Sequence, residues 1–322
     1  MKIAIKGVGS YLPELEVTNY DLEKIMETNN EWIEQRTGIE SRRVANVDTS
    51  ELGYKAALKA IENANVDINE IDLIITATFT PDANMPSVAC LIQDKLGIKE
   101  DCTSFDLNAA CSGFVYSLNV AVSLMKSGMY KKALVIGAEN ITKTLDWKDR
   151  STAILFGDGA GAVVLSEDEF SGINHFYTGS KGDDKGVLTL GNIINDNPYS
   201  DLKSYAKPTL SMNGQAVFKF ATRIVKKSIQ NILDKEQKKL EEFKYVVAHQ
   251  ANKRILQATA KSMKVSEDKF YMNLNKFGNT SAASIPIALD EMVRNNLIKK
   301  GDQLIFVGFG GGLTWGACSL TW

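Results

Sequence analysis

The order of strands and helices in this chain is repeated, and the repeat restricts the fold more than any single motif does. In each half an apolar strand, an amphipathic helix, a short strand, a second helix and another apolar strand follow one another. Ile74 and Val135 in the first copy are 61 residues apart, and Val246 and Ile305 in the second are 59 apart. The spacings predict a duplicated unit with a pseudo-twofold axis, although α/β segments also resemble one another by chance.

Apolar patterns indicate where the strands and helices lie. Several strand-like segments are near-continuous apolar runs, which is typical of strands covered on both faces. The expected strands are Ile3–Lys6, Leu73–Thr78, Ser104–Leu107, Ala133–Ala138, Ala162–Leu165, Tyr245–His249 and Leu304–Gly308, with a further short strand in the segment YMNLN. The expected helices, with apolar residues three or four apart, are Ser50–Ala64, Val88–Leu96, Gly113–Met125, Gln215–Leu233, Asn252–Met263 and Ala282–Asn295. Their alternation predicts an α/β protein.

The length of 322 residues exceeds the usual size of a single domain. We therefore expect one large domain or two closely packed halves, and the repeat places the halves at residues 1–166 and residues 167–322. Between the repeated segments, from about residue 182 to residue 212, the chain is polar and irregular. A segment of this kind is usually a loop that covers a functional site or a mobile loop.

Composition argues against several classes of function. The formal net charge of −2, without a clustered basic surface, predicts binding neither to nucleic acid nor to membranes. No apolar stretch is long enough to span a bilayer, and the N-terminal segment lacks the pattern of a signal peptide. We therefore expect a cytoplasmic protein with reduced cysteines. Cys90, Cys102, Cys111 and Cys318 have no metal-binding spacing, and with only two histidines in the chain no metal site is expected.

One cysteine lies in a setting that favours catalysis. In the segment DLNAACSGF a short strand ends, small residues make a turn, and a long apolar helix begins just after Cys111. A thiol at this point faces unpaired backbone N–H groups and the positive end of the helix dipole, both of which favour the thiolate. Position alone leaves a nucleophile and a buried structural cysteine equally open.

Two polar residues of the second half have comparable positions. His249 lies where an apolar strand meets a helix, and open α/β sheets place their sites at the carboxyl ends of strands. Taken alone it is more often a structural residue, and His175 is expected at the surface or a sheet edge. Asn279 falls near the position equivalent to Cys111, where it either caps a helix or donates a hydrogen bond to a carbonyl beside His249.

Glycines follow the strand that ends near Gly308. Gly310, Gly311 and Gly312 let backbone N–H groups approach a ligand closely, as in an oxyanion hole or a phosphate site. A dinucleotide-binding fingerprint also needs a helix directly after the glycines. Neither this segment nor Gly157–Gly161 is followed by one, which weakens the case for a dehydrogenase.

Trp32 and Arg36 lie four residues apart, and therefore on one side of a helix. Such a pair can stack on an adenine ring and hold a phosphate. Without further context, a packing pair at the protein surface is the more common explanation.

Together these segments resemble the 3-oxoacyl-acyl-carrier-protein synthase III (β-ketoacyl synthase III) family of the thiolase superfamily, from Lys2 to Trp322. The motifs that resemble it are EWIEQRTGI, DLNAACSGF, the block Asp146–Ala162, MNGQAVFKFA, HQANKR, FGNTSAAS and GFGGGLTWG. The resemblance implies a thiolase fold, two similar halves related by a pseudo-twofold in five layers, α-β-α-β-α. It also implies decarboxylative Claisen condensation of an acyl-CoA, acetyl-CoA first among the candidates, with malonyl-acyl-carrier protein, which initiates type II fatty acid synthesis.

The resemblance also implies a role for individual residues. Cys111 would be the acylated nucleophile, and His249 and Asn279 would assist decarboxylation of the malonyl partner. The backbone N–H groups of Cys111 and Gly311 would form the oxyanion hole. The residues implied in acyl-CoA binding are Trp32, Arg36, Thr37, Arg150, Phe218 and Asn252, and those implied in carrier-protein binding are Lys219, Arg254 and Lys261. Met85 stands where the family usually has an aromatic residue that closes the neighbouring subunit's acyl pocket, which implies a homodimer and leaves the starter group open.

Other proteins share parts of this pattern. The same triad serves hydroxymethylglutaryl-CoA synthases, chalcone-type polyketide synthases and acyltransferases with oxygen nucleophiles, but the carrier-protein patch and the short chain favour the first assignment. A non-catalytic partner subunit is an alternative from another class, and it is expected to have lost the nucleophile that this chain keeps. The condensation calls for no metal or redox cofactor, so we expect none.

Overall fold

The structure is a computed structural model that describes residues 2–99, 101–183, 185–191, 198–200, 203 and 206–322. The covering loop expected over residues 182–212 therefore lies partly outside the described residues. The strands are β1 (Lys2–Tyr11), β2 (Glu16–Thr18), β3 (Ser41–Arg43), β4 (Leu73–Ala77), β5 (Thr103–Leu107), β6 (Ala133–Glu139), β7 (Gly159–Asp168), β8 (Gly172–Ser180), β9 (Leu188–Thr189), β10 (Ser211–Met212), β11 (Tyr245–Ala248), β12 (Gln303–Gly310) and β13 (Thr314–Thr321). The helices are α1 (Asn19–Leu22), α2 (Asn30–Thr37), α3 (Thr49–Ala64), α4 (Val88–Leu96), α5 (Gly113–Lys126), α6 (Gly214–Glu236), α7 (Lys253–Met263), α8 (Leu274–Phe277) and α9 (Ser284–Arg294).

Two large sheets repeat one strand order, so the predicted duplication is confirmed. The first sheet runs β1-β7-β6-β4-β5, and the second, read from its other edge, runs β8-β13-β12-β11. In both sheets one corresponding pair is parallel (β6 with β4, β12 with β11), and the two pairs that follow it towards β1 or β8 are antiparallel. The predicted boundary between residues 166 and 167 lies inside β7, which ends at Asp168.

The short strand predicted in the second half is wrong. Where the first sheet has β5, the second has only an isolated bridge between Val246 and Phe270. The chain leaves the sheet there because the backbone N–H of Asn273 donates to Gln250 Oε1, and the helical turn of α8 follows. Strands β8 and β13 lie outside the predicted set, and His175 is exposed on β8, an edge strand as expected.

The sheets and helices form five layers, α-β-α-β-α, as expected. Helices α3 and α4 cover the outer face of the first sheet, and α6 and α7 cover the outer face of the second. Helices α5 and α9 lie between the two sheets. Neighbouring residues Ile74 and Ile75 of β4 point into different layers and are both fully buried, which explains the apolar run. Among the described residues, no helix is long and apolar enough to cross a membrane.

A matching turn precedes each central helix. One residue in each turn has positive φ, Ala110 at 46° and Ser281 at 49°. In each turn an asparagine accepts a hydrogen bond from the N–H two residues later, Asn108 at 3.2 Å and Asn279 at 2.9 Å. The pseudo-twofold therefore relates Asn279 to Asn108, three residues before Cys111.

Candidate active site

Cys111 lies in a 3₁₀ turn between β5 and α5, with 6% of its surface exposed. The hydroxyl of Ser281 lies 3.3 Å from its Sγ. Strand β12 passes so close that a Cβ on Gly310 would lie 3.0 Å from that sulfur. Burial raises the pKa of the thiol to about 12, and the carboxylate of Glu139 adds to the effect. The helix dipole that the sequence indicates at this position acts in the opposite direction and favours the thiolate.

His249 follows β11 and is 1% exposed. Its Nδ1 lies 2.8 Å from Ser284 Oγ, which also accepts a hydrogen bond from the Gln250 N–H. The serine hydroxyl can then donate to Nδ1, an arrangement that puts the single proton of a neutral imidazole on Nε2. Burial lowers the pKa of His249 to about 3, so the ring is neutral near pH 7.

Asn279 is held through its backbone and its side-chain oxygen. Its N–H donates to the Leu155 carbonyl at 2.8 Å, and its own carbonyl accepts from the Gly157 N–H at 3.1 Å. Its Oδ1 accepts from the Ser281 N–H. The amide NH₂ is therefore the end that remains available, and within the described residues it makes no hydrogen bond.

The segment from Asn279 to Ser284 brings the three predicted catalytic residues together. It contributes Asn279 itself, places Ser281 against Cys111 and places Ser284 against His249. Strand β12 completes the arrangement, because Phe309 packs against the His249 ring with centroids 5.1 Å apart and the next residue contacts Cys111.

A cavity of about 830 Å³ leads to Asn279 from the protein surface. All six residues expected to bind acyl-CoA line it: Trp32, Arg36, Thr37, Arg150, Phe218 and Asn252. The guanidinium group of Arg150 lies 5.1 Å from the centre of the Trp32 ring, and that of Arg36 lies 5.8 Å from it. The Asn252 amide donates to the Arg36 carbonyl at 3.1 Å, which fixes α7 against α2.

A second cavity, of about 460 Å³, ends at Cys111. Gly311 lines it, as expected for an oxyanion-hole residue, and Phe156, Leu188 and Leu210 supply apolar surface. Phe156 also forms a bridge to Asn279, so the two cavities are adjacent. Met85 does not line this cavity, and 84% of its surface is exposed.

Three basic residues mark the surface beside the larger cavity. Lys219 on α6 and both Arg254 and Lys261 on α7 are exposed. The Arg254 guanidinium lies 5.7 Å from the centre of the Phe218 ring, at the edge of the cavity. In the part of the chain that the structure describes, none of the three forms an ion pair.

Sequence reasoning missed Ser281, Ser284 and Glu139. The two serines belong to the motif FGNTSAAS. Serine hydroxyls in a turn before a helix are usually interpreted as helix caps, so no role in the site was predicted for them. Glu139 ends the apolar strand ALVIGAE. A carboxyl group at the end of a buried apolar run could have indicated a functional residue.

Comparison with known proteins points to one family. Its two sequence models, for 3-oxoacyl-[acyl-carrier-protein] synthase III and for the C-terminal part of that enzyme, match residues 105–182 and 233–322. The beta-ketoacyl-[acyl-carrier-protein] synthase III of Clostridium acetobutylicum is 50% identical over 99% of this chain and 98% of its own. The crystal structure of 3-oxoacyl-[acyl-carrier-protein] synthase III from Aquifex aeolicus VF5 has a TM-score of 0.92 at 43% identity, covering 99% of this chain and 100% of that one. For the synthase III of Thermus thermophilus the TM-score is 0.93 at 39% identity, over 99% of each chain.

Proposed function

Because this chain belongs to the 3-oxoacyl-[acyl-carrier-protein] synthase III family, it is a condensing acyltransferase, and we propose that it works through a thioester on Cys111. The enzyme joins the acyl group of an acyl-CoA to malonyl-acyl-carrier protein with loss of CO₂. The product is a 3-oxoacyl-acyl-carrier protein, which begins type II fatty acid synthesis. The observation that supports this route is that the segment beginning at Asn279 contacts both Cys111, through Ser281, and His249, through Ser284. Cys111 and Asn279 line two adjacent cavities.

In the first half-reaction Cys111 Sγ attacks the thioester carbonyl of acyl-CoA. The backbone N–H groups of Cys111 and Gly311 stabilise the developing oxyanion. The sulfur–carbon bond to CoA then breaks and leaves an acyl-enzyme. Because one thioester replaces another, this transfer is nearly balanced in free energy.

In the second half-reaction the malonyl-pantetheine arm of malonyl-acyl-carrier protein enters the larger cavity. Its carboxylate leaves as CO₂, and the resulting enolate oxygen accepts hydrogen bonds from His249 Nε2–H and the Asn279 amide. A neutral histidine suits this role, because it can donate from Nε2 without first losing a proton. The enolate carbon attacks the acyl-enzyme, and collapse of the tetrahedral adduct frees Cys111.

The two carrier groups are held by different parts of the surface. Trp32 and Arg150 flank the adenine of CoA, and Arg36 holds a phosphate. Thr37, Phe218 and Asn252 line the pantetheine channel. Lys219, Arg254 and Lys261 attract the acidic carrier protein by charge, an effect that steers association.

We assign a homodimer as the working form. Met85, with 84% of its surface exposed, stands where the family usually has an aromatic residue that closes the neighbouring subunit's acyl pocket, and its exposure is compatible with such a contact. The reaction belongs in the cytoplasm, where Cys111 remains reduced, and its chemistry requires no metal or redox cofactor. Sedimentation analysis tests the dimer, and a purely monomeric protein would refute it.

Mass spectrometry tests the covalent step. After incubation with acetyl-CoA, the intact protein should gain the mass of one acetyl group, and peptide mapping should place it on Cys111. The matched control is Cys111→Ala, which keeps the exposed Cys90 and should gain nothing. An unmodified wild-type protein would refute the proposed function.

A second experiment separates the two half-reactions. His249→Ala should still take up the acyl group but should fail to release CO₂ from malonyl-acyl-carrier protein. Normal decarboxylation by this variant would show that the role given to His249 is wrong.

A further inference from the structure

Glu139, the last residue of β6, is completely buried and has no part in the chemistry described so far. Within the described residues no lysine, arginine or histidine pairs with this carboxyl group. A buried carboxyl group without a cation is costly, so its presence calls for an explanation. Three consecutive residues of the loop after β4, Thr78, Phe79 and Thr80, donate hydrogen bonds to it.

The carboxylate holds this loop on both sides of Phe79. Thr80 Oγ1 donates to Glu139 Oε2 at 2.5 Å, and Thr78 Oγ1 donates to the same oxygen at 3.1 Å. Between them the Phe79 N–H is shared by both oxygens, at 3.3 Å from Oε2 and 3.4 Å from Oε1. A glutamine has one acceptor oxygen, and its NH₂ group would face the Phe79 N–H as a second donor. The carboxylate therefore suits this backbone in a way that an amide does not.

Further hydrogen bonds tie the two buried threonines to the rest of the protein. The Thr49 hydroxyl donates to the Thr80 carbonyl at 2.5 Å, and the Thr80 N–H donates to Thr78 Oγ1 at 3.1 Å. The Thr78 N–H donates to the Leu107 carbonyl, at the end of β5. The backbone that carries Phe79 is thus anchored before and after that residue.

Phe79 lines the cavity that ends at Cys111. Its side chain packs against an apolar cluster made of Ile141, Leu145, Phe156 and Leu210. Phe156 is the other aromatic residue that lines this cavity, but only 3% of its surface is exposed and its backbone bridges to Asn279. Phe79 by contrast is half-buried, so it presents more of its surface to a ligand in the cavity.

We propose that Phe79, positioned by Glu139, limits the length of the acyl group that Cys111 carries. The inference rests on the proposed function and adds to it the class of starter, a short linear acyl group. The ring takes up volume that the outer carbons of a longer chain need, and forcing extra carbons into a packed site strains side chains and backbone. Because the loop is anchored by the carboxylate, the ring does not move aside to relieve that strain.

Single-turnover acylation by acetyl-CoA and by octanoyl-CoA tests the limit. The measured quantity is the ratio of the octanoyl rate to the acetyl rate, each followed as the gain of acyl mass on Cys111. Wild-type protein should react at least about tenfold faster with acetyl-CoA, and Phe79→Ala, which removes the ring, should raise the ratio by at least about tenfold. An unchanged ratio in Phe79→Ala, or a wild-type protein that takes up both groups equally fast, would refute the limit.

The same ratio tests the positioning role of Glu139, at pH 8, above the pKa of about 7 that burial gives this group. Glu139→Gln should raise the ratio by at least about threefold, as expected for the loss of about one hydrogen bond to the loop. In a Phe79→Ala background it should change the ratio no further, because both residues act through one ring. Thr80→Val removes a donor to the carboxylate and takes the place of Glu139→Gln if that variant does not fold. No change in the wild-type background, or an equal change in both backgrounds, would refute the positioning role.

Asp290→Asn is the matched control. Asp290 is also a buried carboxylate, but it bonds to the Ser10 hydroxyl and to Arg294 and lines neither of the two cavities. This variant should keep the wild-type ratio, and a shift as large as that of Glu139→Gln would overturn the role given to Glu139. A wild-type protein that takes up no acyl group from either thioester would instead refute the proposed function.

Discussion

His249 and Ser284 are joined by a 2.8 Å hydrogen bond at positions that Ala77 and Gly113 occupy in the other half of the molecule. Gly113 begins α5 as Ser284 begins α9. A Cβ on Gly113 would lie 3.1 Å from the Ala77 Cβ, so the two positions are neighbours in both halves. The duplicated backbone thus offers the same contact twice, and polar side chains occupy it only in the half that lacks the nucleophile.

The first prediction concerns this contact. Ser284→Ala removes the partner of His249 Nδ1, so the ring loses its preference for the tautomer with the proton on Nε2. We expect malonyl decarboxylation to slow by roughly tenfold, consistent with the loss of about one hydrogen bond, whereas acylation of Cys111 should be unchanged. Release of labelled CO₂ and mass spectrometry of the acyl-enzyme measure the two steps. Equal losses in both steps would contradict a role specific to His249.

The second prediction concerns the close approach of β12 to the nucleophile. Gly310 has an extended backbone, so an alanine meets no conformational strain, but its Cβ would lie 2.8 Å from the Cys111 Cβ. Gly310→Ala should therefore block acylation almost completely. Because the added Cβ meets the buried Cβ and the backbone N of Cys111, the variant should also have a lower free energy of unfolding. Intact-protein mass spectrometry and thermal unfolding measure these two effects.

Gly182→Ala is its control, because a Cβ there meets nothing within 4 Å. That variant should acylate normally. If Gly310→Ala also acylates normally, the crowding at the sulfur has been overestimated.

The residues predicted to be catalytic could be singled out from the sequence because each lies where a regular element ends and a turn or helix begins. Cys111 and Asn279 follow short segments that lead into central helices, and His249 ends β11. An apolar run followed by small or polar residues can be recognised locally, and the duplication indicated which turns face each other. The five layers were implied by the family resemblance and are confirmed.

Contacts between distant segments could not be predicted in the same way. The 3.3 Å contact between Ser281 and Cys111 joins residues 170 positions apart. The raised pKa of Cys111 depends first on burial within the folded protein, which a local stretch of sequence does not show. The prediction of a short strand after Phe270 was wrong for a similar reason. The side-chain oxygen of Gln250 accepts a hydrogen bond from the backbone N–H of Asn273, 23 residues away.

The third prediction concerns recognition of the nucleotide of CoA. Trp32→Ala removes the ring that lies beside the guanidinium groups of Arg150 and Arg36. We expect KM for acetyl-CoA to rise by roughly tenfold or more, as for the loss of a stacking surface worth about 1–3 kcal/mol. Steady-state kinetics with acetyl-CoA measure this effect.

A truncated thioester, acetyl-N-acetylcysteamine, provides the control because it has no nucleotide. The variant and the wild type should use it equally well. A matching loss with this substrate would show that Trp32 acts on the active site rather than on the nucleotide.

The last prediction is the pH dependence of stability that a buried Glu139 imposes. Its pKa is raised from 4.5 to about 7 in the folded protein, so the folded state binds the proton more tightly than the unfolded state does. The stabilisation from the protonated group is complete below about pH 4.5 and is lost as the pH rises through 7. Glu139→Gln does not titrate, so its stability relative to the wild type should increase from pH 4.5 to pH 8, by at most roughly 3 kcal/mol.

Urea unfolding of both proteins at pH 5 and pH 8 measures this difference directly. His249 also makes stability depend on pH, because burial lowers its pKa to about 3 and its contribution is lost as the pH falls below 6.5. That contribution is common to both proteins and cancels in the comparison. Parallel pH dependences in the variant and the wild type would mean that Glu139 is not a buried titrating group.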